Sequence, residues 1–220
     1  MRFDKPGHGS GAMELRRGLF GNLPLDEWPP DSIADAYPWA SFVQAREAWR
    51  LGDRVAAVSS WSAIAHGTDI ESRHILQAWH YLRLSGVQPT PGEAVQVLGL
   101  TAEVAVGEGH DLLAAYADRT VRYLNHAGGA VVVDDASIED LASAVDSWLE
   151  VGRRLAPMVG TWNSDTLPPL PSGHTRIVML TPAGLRFGQG PDAQLRSSAA
   201  AATFLHAATQ LLLAVTRCVE

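Results

Sequence analysis

The hydrophobic period of this chain changes near Pro89 and Pro91, and that change sets the fold class. Across residues 32–86 the apolar residues recur at three- and four-residue steps, the spacing of amphipathic helices. Across residues 97–106 they occupy alternate positions instead, which is typical of a half-buried strand. The sequence therefore predicts a helical segment at residues 32–90, followed by an α+β domain at residues 91–220.

Three helices are predicted in the first segment. Pro38 lies inside the first of them, where a proline is expected to cause a kink. The second carries Val55, Val58 and Trp61 at helical spacing on one apolar face. The predicted helices run from residue 31 or 32 to 51, from 53 to 66 and from 70 to 85.

Small residues and an aromatic residue recur in this segment where two paired helices would meet. They are Ala45, the turn pair Gly52 and Asp53, Ala57 and Trp61. Small residues let two helices approach closely, and the aromatic ring fills the groove between helix pairs. On these residues, the chain over residues 37–86 resembles a tetratricopeptide-type helical hairpin.

The resemblance implies that the helical segment binds another protein, because tetratricopeptide relatives bind proteins in their helical grooves. It departs from the family at Asp69 and Ile70, which stand in place of the usual closing proline. Fewer than about three repeats do not form a free-standing solenoid, so such a unit must pack on something else. An ordinary three-helix cluster remains the alternative.

The second segment is predicted to be an α+β domain with a mostly antiparallel sheet, in the order ββββ-α-ββ-α. Ser137 and Asp140 stand in a capping-box relation at the start of its first helix, and a proline-rich connection occupies residues 160–173. Phrases such as AAYADRTVRYLNH resemble bacterial proteins of unknown function, and this likeness implies no activity. The predicted strands cover residues 97–106, 112–117, 120–125, 130–134, 175–181 and 185–189, and the predicted helices cover 137–157 and 191–219.

Residues 1–31 carry glycines and prolines without a sustained period, which predicts a flexible or loosely docked N-terminal arm. Leu19 and Phe20 are apolar side chains through which part of the arm can dock. The run of glycines at residues 7–11 lacks a preceding strand and a following lysine. It is therefore not predicted to bind phosphate.

Two rare residues exclude whole classes of enzyme. Lys5 is the only lysine among 17 basic residues, and a P-loop, a kinase site or a Schiff base needs a lysine in a suitable setting. Cys218 is the only cysteine, so the chain can form neither an internal disulfide nor a cysteine-based zinc site. The arginine bias is typical of a GC-rich bacterial genome. A lone cysteine fits a reducing cytoplasm, which is the predicted location.

The charge and hydropathy patterns argue against two kinds of partner. A net charge of -7 disfavours binding to nucleic acid. No segment is predicted to reach the roughly 20 consecutive apolar residues that span a membrane. No cofactor is predicted.

Glu71 and His74 are the best candidate metal ligands, because their i, i+3 spacing places both side chains on one helix face. His80 is the weaker third ligand, since it lies six residues beyond His74. The competing interpretation is a surface ion pair of Glu71 with Arg73 or Arg54, beside a solvated or capping histidine. We expect no bound metal.

A second polar cluster lies on the predicted strands between residues 110 and 126, and it suggests a small hydrolase with a histidine and an aspartate. No nucleophile elbow and no HExxH motif accompanies it. Side chains that merely pack across a strand pair are the competing interpretation. The cluster comprises His110, Asp111, Tyr116, Asp118, Arg119, Arg122, Tyr123, Asn125 and His126.

Glycines at residues 188 and 190, followed by Pro191, suggest a third kind of site, a ligand-sensing turn before a helix. A plain helix start prefers the same residues, and Asp192 already complements the helix dipole.

Taken together, these features favour a non-catalytic adaptor of a bacterial multi-component system. The helical segment holds four of the chain's 7 tryptophans, and tryptophan and arginine are the residues most enriched at binding hot spots. The partner is predicted to be another protein or a second copy of this chain. A hydrolase or metal-dependent enzyme is the alternative, and a ligand-sensing domain is the third hypothesis. The predicted contact residues are Trp49, Trp61, Trp79, Arg46, Arg50 and Arg83.

Overall fold

The structure is a computed structural model that describes residues 10–29, 36–134, 139–164 and 166–218. The chain divides into two compact units between Pro89 and Thr90. The first unit is helical, and the second combines helices with an antiparallel sheet, so the fold class is α+β.

The first unit contains the three predicted helices and one more. The additional helix lies in the segment predicted to be a flexible arm. The first predicted helix begins only after Pro38, so this proline precedes a helix instead of kinking one. The start expected at residue 31 or 32 lies outside the described residues. The helices are α1 (Ser10–Phe20), α2 (Trp39–Arg50), α3 (Arg54–Ala65) and α4 (Ser72–Leu84).

The end of α1 and the residues after it pack closely against α4. Gly21 has φ +63°, and a Cβ there would lie 2.7 Å from both the Arg73 carbonyl oxygen and the Leu76 Cβ. The Gln77 side chain accepts a hydrogen bond from the Leu23 amide at 3.0 Å and donates one to the Leu23 carbonyl at 2.9 Å. Of the two alternatives for the arm over residues 1–31, flexible or loosely docked, these contacts fit a docked segment after α1, while residues 1–9 lie outside the described part.

The turn between α2 and α3 follows from its sequence. Gly52 has φ +84°, a conformation that glycine adopts without strain, and the Asp53 carboxylate caps α3 by accepting from the Ala56 amide at 3.0 Å. Ala45 and Ala57 are completely buried, which lets the two helices approach. The Trp61 ring fills the space between α2, α3 and α4, with its centroid 5.3 Å from that of Tyr81.

The second unit is a six-stranded sheet in which every neighbouring pair is antiparallel, in the order β4-β3-β2-β1-β5-β6. This confirms the predicted order of four strands, a helix, two strands and a helical C-terminus. The strands are β1 (Gly99–Val106), β2 (Gly109–Tyr116), β3 (Val121–Leu124), β4 (Ala130–Val133), β5 (His174–Thr181) and β6 (Gly184–Pro191).

Three helices accompany the sheet: α5 (Glu139–Leu155), α6 (Asp192–Ser197) and α7 (Ala199–Arg217). The last helix was predicted to be continuous from Pro191, and this is wrong. Ser198 is extended, with φ −81° and ψ 119°, so it separates α6 from α7. The Ser197 hydroxyl donates to the Gln194 carbonyl at 2.8 Å, a local bond typical of serine at a helix end. The predicted capping box at Ser137 lies outside the described residues.

The core of the second unit lies between the sheet and helices α5 and α7. Leu100 is directly opposite Ala115 on one side and Met179 on the other, so all three face the helices. Trp148 of α5 and Phe204 of α7 meet over this face, with ring centroids 5.3 Å apart. Strand alternation and helical periodicity thus converge on one apolar layer.

Among the described residues, α7 is the one helix with the length and composition to cross a membrane. The apolar face of α7 includes Phe204, Leu211 and Val215, all completely buried in the core of the second unit. A core helix of a two-layer domain has the same apolar composition.

The opposite face of the sheet holds a buried ion pair. Glu103 of β1 lies opposite Arg176 of β5, and an Arg176 guanidinium nitrogen donates to the Glu103 carboxylate at 3.2 Å. Both residues are buried. Arg176 also donates to the Gln189 side chain at 2.9 Å and to the Pro168 carbonyl of the proline-rich connection. The pair therefore fixes that connection to the sheet.

We expect a charge on the inner face of α7 to unfold the second unit. Leu205 is buried there, so Leu205→Asp should lower the free energy of unfolding by about 3–5 kcal/mol, the usual cost of an uncompensated buried charge. Leu213→Asp places the same charge on the exposed side of the same helix and should change the stability by less than about 0.5 kcal/mol. Urea denaturation of both variants measures the difference, and equal stabilities would contradict the described packing.

Candidate functional site

Three of the six predicted contact residues lie in the core of the helical unit. Trp61 and Trp79 are buried among the other apolar side chains of this unit. Arg46 is also buried, and its guanidinium donates to the Pro29 carbonyl at 2.9 Å. These three residues cannot touch a partner without unfolding, so their assignment to a binding surface is wrong. The two tryptophan rings fill the core of the unit, and the Arg46 guanidinium holds the Pro29 carbonyl.

The other predicted residues lie at or near the surface. Trp49 is half-buried, with its ring centroid 5.4 Å from that of Trp61. Arg50 is exposed and pairs with Glu47 at 2.8 Å and with Asp26 at 3.4 Å. Arg83 is half-buried in the last turn of α4. The predicted set is thus reduced to residues at the C-terminal ends of α2 and α4.

The most exposed large apolar side chains among the described residues of this unit were not among the predicted contact residues. Leu51 is 85% exposed and Val55 is 82% exposed, on either side of the α2–α3 turn. Helical spacing had placed Val55 on the buried face of α3, and this is wrong because residues 51–56 are all exposed and burial in α3 begins at Ala57. The adjacent Gly52 and Asp53 could have indicated this exposure, since a turn between two helices usually lies at the protein surface.

Arg54 completes this surface. Its guanidinium carbon lies 3.3 Å from the centre of the Trp49 ring, a cation–π contact. Within the described part of the chain Arg54 makes no ion pair, in contrast to Arg50. We call the surface formed by Trp49, Arg50, Leu51, Arg54 and Val55 the α2–α3 tip.

The end of α4 lies at the same end of the unit as the α2–α3 tip. Trp39 at the start of α2 contacts His74 near the start of α4, with ring centroids 4.3 Å apart. Phe42, further along α2, contacts Tyr81, further along α4. The two helices therefore run in the same direction, and Leu84, which is exposed, adds an apolar side chain at this end.

The candidate metal ligands do not converge. Glu71 pairs with Arg73 at 2.6 Å, and the buried His74 ring packs against Trp28 and Trp39. His80 is buried beside Tyr81. Within the described part of the chain, no three histidine, cysteine, aspartate or glutamate side chains are placed to hold a metal ion. The predicted alternative of Glu71, His74 and His80 as a metal site is corrected accordingly.

The polar cluster of the first strands contains one compact arrangement, at the open end of the β2–β3 hairpin. The Asp111 carboxylate accepts from the His126 backbone amide and from the His126 Nδ1, both at 2.8 Å. Tyr123 donates its hydroxyl to the other Asp111 oxygen at 3.3 Å. Gly109 is needed here, since a Cβ would lie 2.9 Å from the His126 Cβ. We call Asp111, Tyr123 and His126 the hairpin triad.

Burial, hydrogen bonds and charge shift the pKa values of two members of the hairpin triad. Partial burial raises the pKa of Asp111, but the hydrogen bonds from His126, its charge and the Tyr123 hydroxyl outweigh burial, and the net pKa is lowered. Burial and the Asp111 charge raise the pKa of Tyr123. A carboxylate can only accept, so Nδ1 of His126 carries a proton, and in the neutral imidazole Nε2 then presents a lone pair. Because His126 is partly exposed, that lone pair can meet solvent.

The other members of the predicted cluster serve separate structural roles. Arg119 pairs with Asp146 at 2.8 Å, and Arg122 pairs with Asp134 at 2.5 Å. Tyr116 is completely buried. Asn125 caps its own turn by accepting from the amides of residues 127 and 129. His110 contacts the Leu170 carbonyl at 3.4 Å.

The glycines proposed to form a ligand-sensing turn belong to a strand. Gly188 and Gly190 lie opposite Ile177 and Thr175 in the β5–β6 pair. Asp192, at the start of α6, accepts a hydrogen bond from the Thr175 hydroxyl at 2.6 Å. The segment is therefore paired with β5 along its length, and the prediction that it forms an open turn is wrong.

Comparison of the chain with protein-family models, with curated proteins and with solved structures finds no match. The α2–α3 tip and the hairpin triad are the two arrangements of this chain that bear on its function.

The hairpin triad predicts a pH-dependent contribution to stability. A folded-state pKa below the unfolded value means that the Asp111 contribution is complete above about pH 4 and is lost as the pH falls through the folded pKa. Asp111→Asn should cost about 1 kcal/mol at pH 7, and this difference from wild type should shrink toward pH 2.5. Urea denaturation at several pH values measures it. Glu108→Gln, at an exposed carboxylate of the β1–β2 turn, is the control, and a constant Asp111→Asn deficit would contradict the assignment.

Proposed function

We propose that this protein is a non-catalytic adaptor of the bacterial cytoplasm, which binds a protein partner through the α2–α3 tip of its helical unit. The observation that carries this proposal is the exposure of Leu51 and Val55 beside a stacked arginine and tryptophan. The weak resemblance to a tetratricopeptide hairpin supports the same role.

The chemistry of the tip is that of a binding hot spot. Large apolar side chains exposed side by side lose unfavourable contact with water when a partner covers them. Trp49 and Arg54 are of the residue types most enriched at hot spots, and their stacking holds the arginine in place before binding. The tip therefore joins an apolar centre to a preorganised positive charge.

The tip also indicates the chemistry of the partner. Arg50 already pairs with two carboxylates, so its charge is largely neutralised. Arg54 makes no ion pair among the described residues, and a guanidinium binds a carboxylate well in bidentate geometry. The partner surface should therefore present apolar side chains next to an aspartate or glutamate.

Two acidic side chains introduced at the tip should weaken partner binding. We expect the double variant Leu51→Asp, Val55→Asp to bind its partner at least tenfold more weakly, because two carboxylates would face an apolar and acidic surface. A photo-crosslinking residue at position 51, used in the native host, identifies the partner, and calorimetry with the purified partner measures the affinity.

Met158→Asp is the matched control, since Met158 is an equally accessible apolar residue of the second unit. It should leave the affinity unchanged. If crosslinks fail to form at position 51, or if the double variant binds as tightly as wild type, the tip is not the binding surface.

A second candidate function is hydrolysis, and the hairpin triad is the observation that favours it. Asp111 orients His126 as the carboxylate orients the histidine base of many hydrolases. In this proposal Nε2 takes a proton from water, and the water oxygen attacks the carbonyl carbon of an ester. The bond to the leaving alcohol then breaks, and the alcohol oxygen receives the proton from Nε2.

The test of this second function uses p-nitrophenyl acetate and p-nitrophenyl butyrate. If the triad is catalytic, the wild type should hydrolyse them faster than free imidazole, and His126→Gln and Asp111→Asn should lower the rate by at least 100-fold. His206→Gln changes an exposed histidine of α7 and should have no effect. Equal rates for all four proteins would leave the triad a purely structural device.

A further inference from the structure

Strand β4 forms an open edge of the sheet. It has four uncharged residues, Ala130 and three valines, and Val132 is 58% exposed. Natural proteins usually protect such edges with charged residues, prolines or covering segments. Within the described residues, none of these covers β4.

The opposite edge, β6, is protected in the usual ways. The Trp162 amide donates to the Leu185 carbonyl at 2.7 Å, so the residues after α5 bond to this edge. Pro191, which has no N–H to offer, ends the strand. The outer edge of β6 is therefore covered in part, whereas the outer edge of β4 is open among the described residues.

The hydrogen-bond phase of the β3–β4 pair shows which backbone groups of β4 point outward. The Asn125 amide donates to the Gly129 carbonyl at 2.9 Å, so this opposed pair is hydrogen-bonded. Bonded and non-bonded pairs alternate along an antiparallel ladder, so Val131 and Val133 also bond toward β3. The N–H and C=O groups of Ala130 and Val132 therefore face away from the sheet.

We propose that β4 pairs antiparallel with β4 of a second copy of this chain, which joins two sheets across a two-fold axis. In the register centred on Val131, Ala130 of each copy lies opposite Val132 of the other. All four outward N–H groups then donate to outward carbonyls. Residue 131 meets its own copy in a non-bonded pair, where Cα atoms lie about 4.5 Å apart.

The charges near β4 are compatible with pairing between two copies of this chain. The only charged residue at the described ends of β4 is Asp134, whose side chain is largely exposed and pairs with Arg122. In the proposed register Asp134 lies opposite Gly128 of the other copy, so the antiparallel self-pair brings no two carboxylates together. The glycine pair at residues 128 and 129 leaves room for the acidic side chain.

Cysteine crosslinking tests both the pairing and its register. In a Cys218→Ser background, Val131→Cys should form a disulfide-linked dimer rapidly on mild oxidation, because its Cα separation falls within the range that disulfides accept. Val132→Cys should crosslink at least tenfold more slowly, although the Val132 side chain is exposed. In the proposed register residue 132 of one copy faces residue 130 of the other, so the two introduced cysteines lie two positions apart along the strands. Equal rates, or a faster rate for Val132→Cys, would overturn the proposal.

Sedimentation velocity tests the association without added cysteines. The wild type should shift with concentration from 23.6 kDa toward twice that mass, and Val132→Pro should remain monomeric because proline lacks the outward N–H. Val132→Thr keeps the N–H and the β-branched shape, so it should still associate, and its thermal melt reports on folding. A wild type that stays at 23.6 kDa up to about 0.5 mM overturns the proposal, as does a Val132→Pro protein that still dimerises.

Discussion

The buried ion pair between Glu103 and Arg176 is the interaction on which the second unit depends. Removing two charges from water costs several kcal/mol for each ion, and the cost is offset only when further hydrogen bonds satisfy the buried groups. Arg176 obtains them from Gln189 and from the Pro168 carbonyl. Satisfying one buried guanidinium thus ties together β1, β5, β6 and the proline-rich connection between α5 and β5.

That constraint leaves the two edges of the sheet unequal. The connection that runs to Arg176 also bonds to β6 through Trp162, so this edge is covered as a consequence. The β4 edge lies three strands away from β1 and receives no such segment among the described residues. An exposed row of backbone donors and acceptors on one side of the sheet is the structural origin of the proposed self-pairing.

The helical unit reaches stability by a different route. Its aromatic side chains make successive edge and tilted contacts, from Trp28 to Phe42 to Tyr81 to Trp61, and these fill the space between short helices. Because Trp61 and Trp79 are buried in this packing, they are not available to a partner, whereas Trp49 is half-buried and forms part of the α2–α3 tip. The exposed apolar residues lie at the α2–α3 tip, where the turn ends the packed region.

Local pattern determined the fold class and the antiparallel order of strands, because alternation and helical spacing record which side chains face a core. It did not determine which residues are accessible, because burial depends on elements that are distant in sequence. Gln77 anchors Leu23 across 54 residues, and Arg176 meets Glu103 across 73. Val55 has the helical spacing of a buried residue but is exposed. Arg46 is of a residue type usually found at the surface but is buried. The α2–α3 tip and the hairpin triad were decided by tertiary packing, since each requires side chains to be placed by neighbouring elements whose approach no local period encodes.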